Sequence, residues 1–375
     1  FNLEAHIQNG DFIIMDGDYG NIFINPEAAI INEYNARKKH LMETAEQLQK
    51  IIALPSSTVD GFSIQLEANI SSLKELDRAL QLGAAGVGLF RTEFLYMDRR
   101  ELPSEQEQFA IYCQAAEKLA GKPLIIRTFD IGGDKQLDYF SLPEQENPSL
   151  GYRAIRISLD HKELFKTQLS AIVQAAFYGN VKIMYPMITS IEELHIANEI
   201  LQEVKDELKE SGKPYKPDIE VGAMIEVPAA AAISDLLAKE LDFFSIGTND
   251  LVQYILAVDR MNEKIAHMYD PYHPAILRTL KQIVESAHKH NIHVGVCGEM
   301  AGQQLALPFW ISLGVHQLSM SVQSLLPIKN SLIQLSKKNQ EHLLAQIWSC
   351  STSQEIKQLL QDQINQGTQI ASDTP

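Results

Sequence analysis

The sequence predicts an α/β protein: a (β/α)8 TIM barrel preceded by a linker helix and a β-hairpin. Three observations carry this. From about residue 60, eight short apolar runs alternate with helical patterns, which implies a parallel sheet covered by helices. Eight such units over ~250 or more residues match the size of a closed barrel. Polar residues recur at the C-terminal end of run after run, and in a barrel those ends converge on the face that carries active sites. The rival architecture is a doubly wound open sheet.

Each element has its own signal. Residues 1–27 contain DFIIMDGDYGNIFINP, two short apolar strands around a turn. Two strands alone are marginal in water, so this region reads as the remnant of a domain whose body lies elsewhere. Residues 28–58 form a linker, with EAAIINEYNARKKHLMETAEQLQKII as a helical pattern free of Gly and Pro until LPSSTVDG breaks it. Residues 59–375 make the barrel. Its strands are expected at 64–70, 85–91, 124–131, 181–188, 220–227, 243–250, 293–300 and, more weakly, 316–322. Helices are expected at 72–82, 104–119, 162–178, 190–210, 229–239, 273–290 and 301–312.

Composition narrows the function. At 375 residues the chain exceeds the usual limit of a single core, about 250–300 residues. No stretch approaches the ~20 apolar residues of a membrane span, and FNLEAHIQNG has neither the basic nor the apolar region of a signal peptide. It starts with Phe, as expected of a fragment. Three widely spaced cysteines, Cys113, Cys297 and Cys350, argue against a disulfide framework and for a reducing, cytoplasmic compartment. A net charge of −16 disfavours nucleic acid and anionic membranes as partners. Against that background Arg91, Arg127, Arg153, Arg156 and Arg260, half of the ten arginines, fall in or near polar motifs. Such placement suggests a local anion site.

The strand ends define candidate chemistry. In LDFFSIGTNDLVQYILAVDR an apolar strand stops at Gly247, followed by Asn249, Asp250 and, downstream, Arg260. Gly permits close backbone approach, a carboxylate suits a hard metal, and a guanidinium matches carboxylate or phosphate bidentately. Glu226 ends GAMIEV, and with Asp250 it offers the one or two carboxylates that Mg2+ commonly takes. The competing reading is a pair of carboxylates receiving hydrogen bonds from helix N-termini. Arg91, Arg127 and Arg153 on one face look like a phosphate clamp; the alternative is a set of salt bridges to acids such as Glu93 or Asp130. Lys135, in DIGGDK, is either a further phosphate ligand or a surface lysine. Cys297, in HVGVCGEM, is either a small buried hydrophobe or a proton donor. His288, His290 and His293 read as solvated or capping residues.

Together GVGLFRTEFLYMDR, IIRTFDIGGDK, ENPSLGYRAIR, IEVGAMIEVPAA, DFFSIGTNDLVQYILAVDR and VCGEMAG resemble the Enzyme I family of the bacterial phosphotransferase system, over about residues 1–365. More distantly the motifs are similar to the barrels of pyruvate phosphate dikinase and phosphoenolpyruvate synthase. The resemblance implies a phosphoenolpyruvate-binding barrel that needs Mg2+, releases pyruvate and forms a homodimer. It implies that Glu226 and Asp250 hold the metal and that Arg91 and Arg127 bind the phosphate, with Arg153 and Lys135 nearby. Asn249, Asp250 and Arg260 would hold the substrate carboxylate, and Cys297 would protonate the departing enolate. The family's acceptor histidine lies in a Gly-Gly-x-x-Ser-His type motif of an N-terminal domain, and no such motif occurs here. The chain is therefore expected to be the C-terminal part of such an enzyme, binding phosphoenolpyruvate but unable alone to pass phosphate to the carrier HPr. A dikinase fragment and a non-catalytic phosphoenolpyruvate sensor are the alternatives; a sensor has no need of a proton donor.

Overall fold

The computed structural model describes residues 6–372 apart from Asp18, Asp98, 133–136, Asp138, Ser141, Glu144 and Glu341. Lys135 therefore lies outside the described residues. The chain divides into two compact units, Phe1–Ala53 and Leu54–Pro375.

In the first unit, strands β1 (Ile13–Asp16) and β2 (Asn21–Ile24) pair antiparallel with Ile13 opposite Ile24. Helix α1 (Ala28–Gln49) follows. The buried Asp16 carboxylate receives the Arg37 guanidinium at 2.8 Å and the Tyr34 hydroxyl at 2.7 Å. Tyr34 also packs on Phe23, ring centroids 5.4 Å apart. A short hairpin needs such support from a helix.

The second unit is a closed, all-parallel barrel of eight strands: β3 (Gln65–Ile70), β4 (Val87–Arg91), β5 (Leu124–Arg127), β6 (Val181–Tyr185), β7 (Val221–Ile225), β8 (Phe243–Ile246), β9 (His293–Val296) and β10 (Gln317–Met320). The weakest predicted run, β10, closes the ring on β3 with Leu318 opposite Leu66. That register excludes the open sheet.

Around the barrel lie α2 (Leu73–Gln81), α3 (Glu105–Leu119), α4 (Ile155–Asp160), α5 (Lys162–Ala175), α6 (Ile191–Glu210), α7 (Pro228–Ala232), α8 (Ser234–Leu237), α9 (Thr248–Leu256), α10 (Pro274–Lys289) and α11 (Leu307–Leu313). Ser72, Ser104 and Ser190 cap α2, α3 and α6 by accepting the N–H three residues on, as N-cap serines do. The helix expected at 229–239 breaks at Ile233 into α7 and α8. The one expected at 301–312 starts as two 3-10 turns before α11. Helix α4 and three further helices, α12 (Leu325–Leu332), α13 (Leu343–Ser349) and α14 (Ser353–Ser372), had no predicted counterpart.

Strand alternation creates two apolar layers. Phe90, Ile126, Ala223, Phe244 and Val296 join the large core cluster with residues from the surrounding helices. Their sequence neighbours Leu89, Ile125, Met224, Phe243 and Cys297, with Met184, form a separate cluster. A period of two sends alternate side chains to opposite faces, so the second cluster fills the barrel interior. Two residues further along, the same parity brings Arg91, Arg127 and Glu226 to the mouth. The strands expected at 124–131, 181–188, 220–227, 243–250 and 293–300 end earlier than expected, at 127, 185, 225, 246 and 296, while Arg91 and Arg127 still pair in the β4–β5 ladder.

Candidate active site at the barrel mouth

The inner parity produces a cavity of about 260 Å³ above the inner apolar layer. Leu89, Met224 and Cys297 form its floor, and its walls hold Arg91, Arg127, Arg153 and Arg260 against Glu93, Asp130, Glu226, Asp250 and Glu299. Among the described residues four guanidinium groups line it against five carboxyl groups. The larger neighbouring cavity, about 700 Å³ and lined by Arg156, Met187 and Tyr254 among others, contains none of these four arginines.

Arg127 is buried at the end of β5 and paired twice, Nη2 to Glu93 Oε1 at 2.6 Å and Nη1 to Asp130 Oδ2 at 2.9 Å. Asp130 passes the chain on through Oδ1 to Arg153 Nη2 at 3.0 Å. Arg153 continues to Asp250 Oδ2 at 3.4 Å and Tyr254 Oη at 3.2 Å. Arg260 Nη2 lies 3.4 Å from Asp250 Oδ1. Burial works against both inner guanidinium charges, but Asp130 with Glu93 outweighs it at Arg127, and Asp130 with Asp250 at Arg153. The salt-bridge reading therefore holds for Arg127 and Arg153. Arg127 Nε, Arg153 Nε and Arg260 Nη1 are buried without a hydrogen-bond partner, and Arg91 has no carboxylate partner among the described residues.

Two glycines allow this crowding. A Cβ on Gly247 would sit 2.9 Å from Glu226 Cβ, so only glycine lets the ends of β7 and β8 close together. Gly132 adopts φ +111°, and a Cβ there would meet Arg153 Cβ at 2.6 Å. The left-handed backbone and the missing side chain are both required.

Glu226 Oε1 receives the Met187 N–H at 2.8 Å, from a backbone with φ +57°. Sequence reasoning had no signal for this donor. Burial, then repulsion from Asp250 and Asp130, raises the Glu226 pKa, against the pull of Arg127 and Arg153. Asp250 Oδ1 lacks a hydrogen-bond partner. Among the described residues no group of three or more His, Cys, Asp or Glu side chains converges as a ligand set. Two crowded carboxylates with an unsatisfied oxygen fit Mg2+, which completes its shell from water and substrate oxygens.

Asn249 is committed elsewhere. Its side chain donates to Glu299 Oε1 at 3.2 Å and accepts the Glu299 N–H at 2.8 Å. The backbone N–H groups of Asn249 and Asp250 belong to the first turn of α9, where no helix carbonyl satisfies them. Cys297 is buried, its Sγ 3.7 Å from the Ile246 carbonyl, and Asn69 Nδ2 holds its carbonyl at 2.9 Å. Burial pushes the thiol up to about 11, so it keeps its proton at neutral pH. The three cysteines are free thiols. Of the histidines read as solvated or capping, His293 is different: it is half-buried and stacked on His316, centroids 4.7 Å apart.

Among the described residues no helix is long and apolar enough to cross a membrane. The profile of a family described as PEP-utilising enzyme, PEP-binding domain, matches residues 45–337. The phosphoenolpyruvate-protein phosphotransferase of Bacillus subtilis (strain 168) is 46% identical over 350 residues, 93% of this chain and 61% of that protein. That of Staphylococcus carnosus (strain TM300) is 43% identical over 361 residues, 96% of this chain and 63% of its own length. The enzyme so named from Geobacillus stearothermophilus is 45% identical over 354 residues, 94% and 61% of the two chains. The chain thus spans about three fifths of these relatives. A family match over most of the barrel, with relatives so similar along nearly the whole chain, shows that this chain belongs to the PEP-utilising enzymes and carries their PEP-binding domain.

Proposed function

We propose that the chain is the C-terminal part of a cytoplasmic, homodimeric phosphoenolpyruvate–protein phosphotransferase. In this reading residues 1–27 are the remnant hairpin of the phosphohistidine domain, 28–58 the linker and 59–375 the substrate barrel. The phosphoryl group leaves phosphoenolpyruvate for a histidine of that domain and then goes to HPr. The observation that carries the proposal is the mouth cavity, where Arg127, Arg153 and Arg260 retain unspent N–H groups and Arg91 stands beside them, next to two crowded carboxylates.

The walls alone have no positive excess for a highly charged phosphate ester. Glu226 and Asp250 would hold Mg2+, which neutralises phosphate charge and polarises the bridging oxygen. Arg91 and Arg127 take the phosphoryl oxygens, with Arg153 and Lys135 beside them. Arg260 Nη1 and the first-turn N–H groups of α9 take the substrate carboxylate. Phosphoryl transfer relies on such positioning and charge neutralisation. The bond from phosphorus to the enol oxygen breaks as the bond to the histidine nitrogen forms, and the electron pair stays on that oxygen. Cys297 then delivers its Sγ proton to the methylene carbon of the enolate, yielding pyruvate and a thiolate.

Calorimetric titration of the chain with phosphoenolpyruvate, with and without Mg2+, tests this directly. Binding should require Mg2+. Glu226→Gln and Asp250→Asn should each weaken it about 100-fold, the upper figure for disturbing a metal's outer shell; unchanged affinity in both defeats the metal assignment. Cys297→Ser should spare binding and slow pyruvate formation in the intact enzyme, so normal turnover would remove Cys297 from the mechanism.

A further inference from the structure

Beneath the mouth runs a buried polar chain that the mechanism above does not use. Gln108 Nε2 on α3 donates to the Pro103 carbonyl at 3.1 Å, which turns Gln108 Oε1 toward two tyrosines. Tyr96 and Tyr112 both donate to that oxygen, at 3.1 and 3.2 Å. Having spent its proton, the Tyr112 oxygen accepts from Gln168 Nε2 of α5 at 3.4 Å. Gln168 Nε2 also donates to Thr92 Oγ1 at 3.1 Å, and Gln168 Oε1 accepts the Phe129 N–H at 2.7 Å. Thr92 Oγ1 then donates to the Arg127 carbonyl at 2.9 Å. Thr92, Gln168 and Tyr112 are fully buried, and Gln108 is 1% exposed.

The polarity of the chain admits one arrangement. A carbonyl only accepts and a backbone N–H only donates, so Pro103 sets the Gln108 amide at one end while Phe129 and Arg127 set Gln168 and Thr92 at the other. Its far end grips the backbone on both sides of Thr128, at the carbonyl of Arg127 and the N–H of Phe129. Thr92 itself lies between Arg91 and Glu93, the ion partner of Arg127. Arg91 stands opposite Arg127 in the β4–β5 register. One hydroxyl thus ties together the strand ends that present both arginines.

We infer that Thr92 and Gln168 are positioning residues that hold the Arg91–Arg127 pair at the spacing a phosphoryl group requires. The inference rests on the phosphate-binding reading of those two arginines. Satisfied buried networks rigidify what they touch, and misplacing a binding group by about 1 Å costs heavily in affinity or rate.

The test compares phosphoenolpyruvate with pyruvate, which lacks the phosphate, by calorimetry with Mg2+ on the whole chain. Thr92→Val keeps the shape and removes the hydroxyl; Thr92→Ser keeps the hydroxyl; Gln168→Leu is an independent break. Thr92→Val and Gln168→Leu should weaken phosphoenolpyruvate about tenfold while pyruvate changes by less than about twofold, and Thr92→Ser should bind both like wild type. Equal weakening of both ligands, or an unchanged phosphoenolpyruvate affinity, overturns the inference. So does failure of both Thr92→Val and Gln168→Leu to fold while Thr92→Ser folds, which assigns the chain to stability. If wild type does not bind phosphoenolpyruvate, the functional reading itself falls.

Discussion

The two ends of the barrel interior bury charge in opposite ways. At the C-terminal mouth the buried guanidinium charges are kept by opposite charges: Arg127 and Arg153 stay cationic because Glu93, Asp130 and Asp250 surround them, while burial and those neighbouring carboxylates push Glu226 up. At the N-terminal end, the groups tend toward their neutral forms. Burial pushes Glu67 up to about 8, against the pull of Lys182 and its hydrogen bond from Gln317. Burial, with the nearby charges of His316 and Lys182, takes His293 down to about 4. A carboxyl that keeps its proton and an imidazole that refuses one suit a closed floor. Retained charge with unspent N–H groups suits a site that receives an ion.

The largest effect should come from breaking the mouth. Arg127→Leu leaves Glu93 and Asp130 buried without that cation, a loss of about 3–5 kcal/mol in urea unfolding, together with loss of phosphoenolpyruvate binding. A variant within about 1 kcal/mol of wild type would mean that the mouth is not held by paired charge. Glu226→Gln sharpens the same contrast with the opposite balance. Binding falls steeply, while thermal stability without ligand stays level or rises, because one of several crowded carboxylates is gone. A large drop in stability would show Glu226 to be a structural partner.

The floor should respond to pH. Glu67 is easier to protonate folded than unfolded, so folding takes up a proton and stability falls as pH rises from the ordinary 4.5 through about 8. Glu67→Gln should remove that slope, raising Tm by about 3 °C at alkaline pH and leaving it unchanged near the ordinary carboxylate pKa, with phosphoenolpyruvate binding intact. An unaltered slope would place the titration elsewhere. The smallest effect is expected at His293, whose contribution is present above the ordinary 6.5 and lost as pH falls toward about 4. His293→Gln should flatten acid unfolding over that window by about 1 kcal/mol; a parallel acid limb in the variant would exclude it.

Much of the barrel was legible because its signals are local. Apolar runs such as LIIR and FFSI and the polar residues after each run need only the chain's own order. The helices after residue 312 were not legible from those signals. In α12, for example, Pro327 sits in the first turn, where it costs no hydrogen bond but interrupts the pattern a reader follows.

At the site, residue types and their common position could be read from the chain, and their partners could not. Cys297, Arg127, Glu226 and Asp250 were identifiable because each ends or follows an apolar run, a one-dimensional property. That Asp250 meets Arg153 across 97 positions, that Asn249 turns to Glu299, and that Met187 aims a strained N–H at Glu226 depend on how eight strand ends close into a ring. The sequence by itself determined which groups stand at the C-terminal ends of the strands, and for Arg91, Arg127 and Glu226 the period of two turns them inward. Only the tertiary structure decided which charges pair there and which N–H groups stay unspent, because barrel closure sets the distances between groups on different strands.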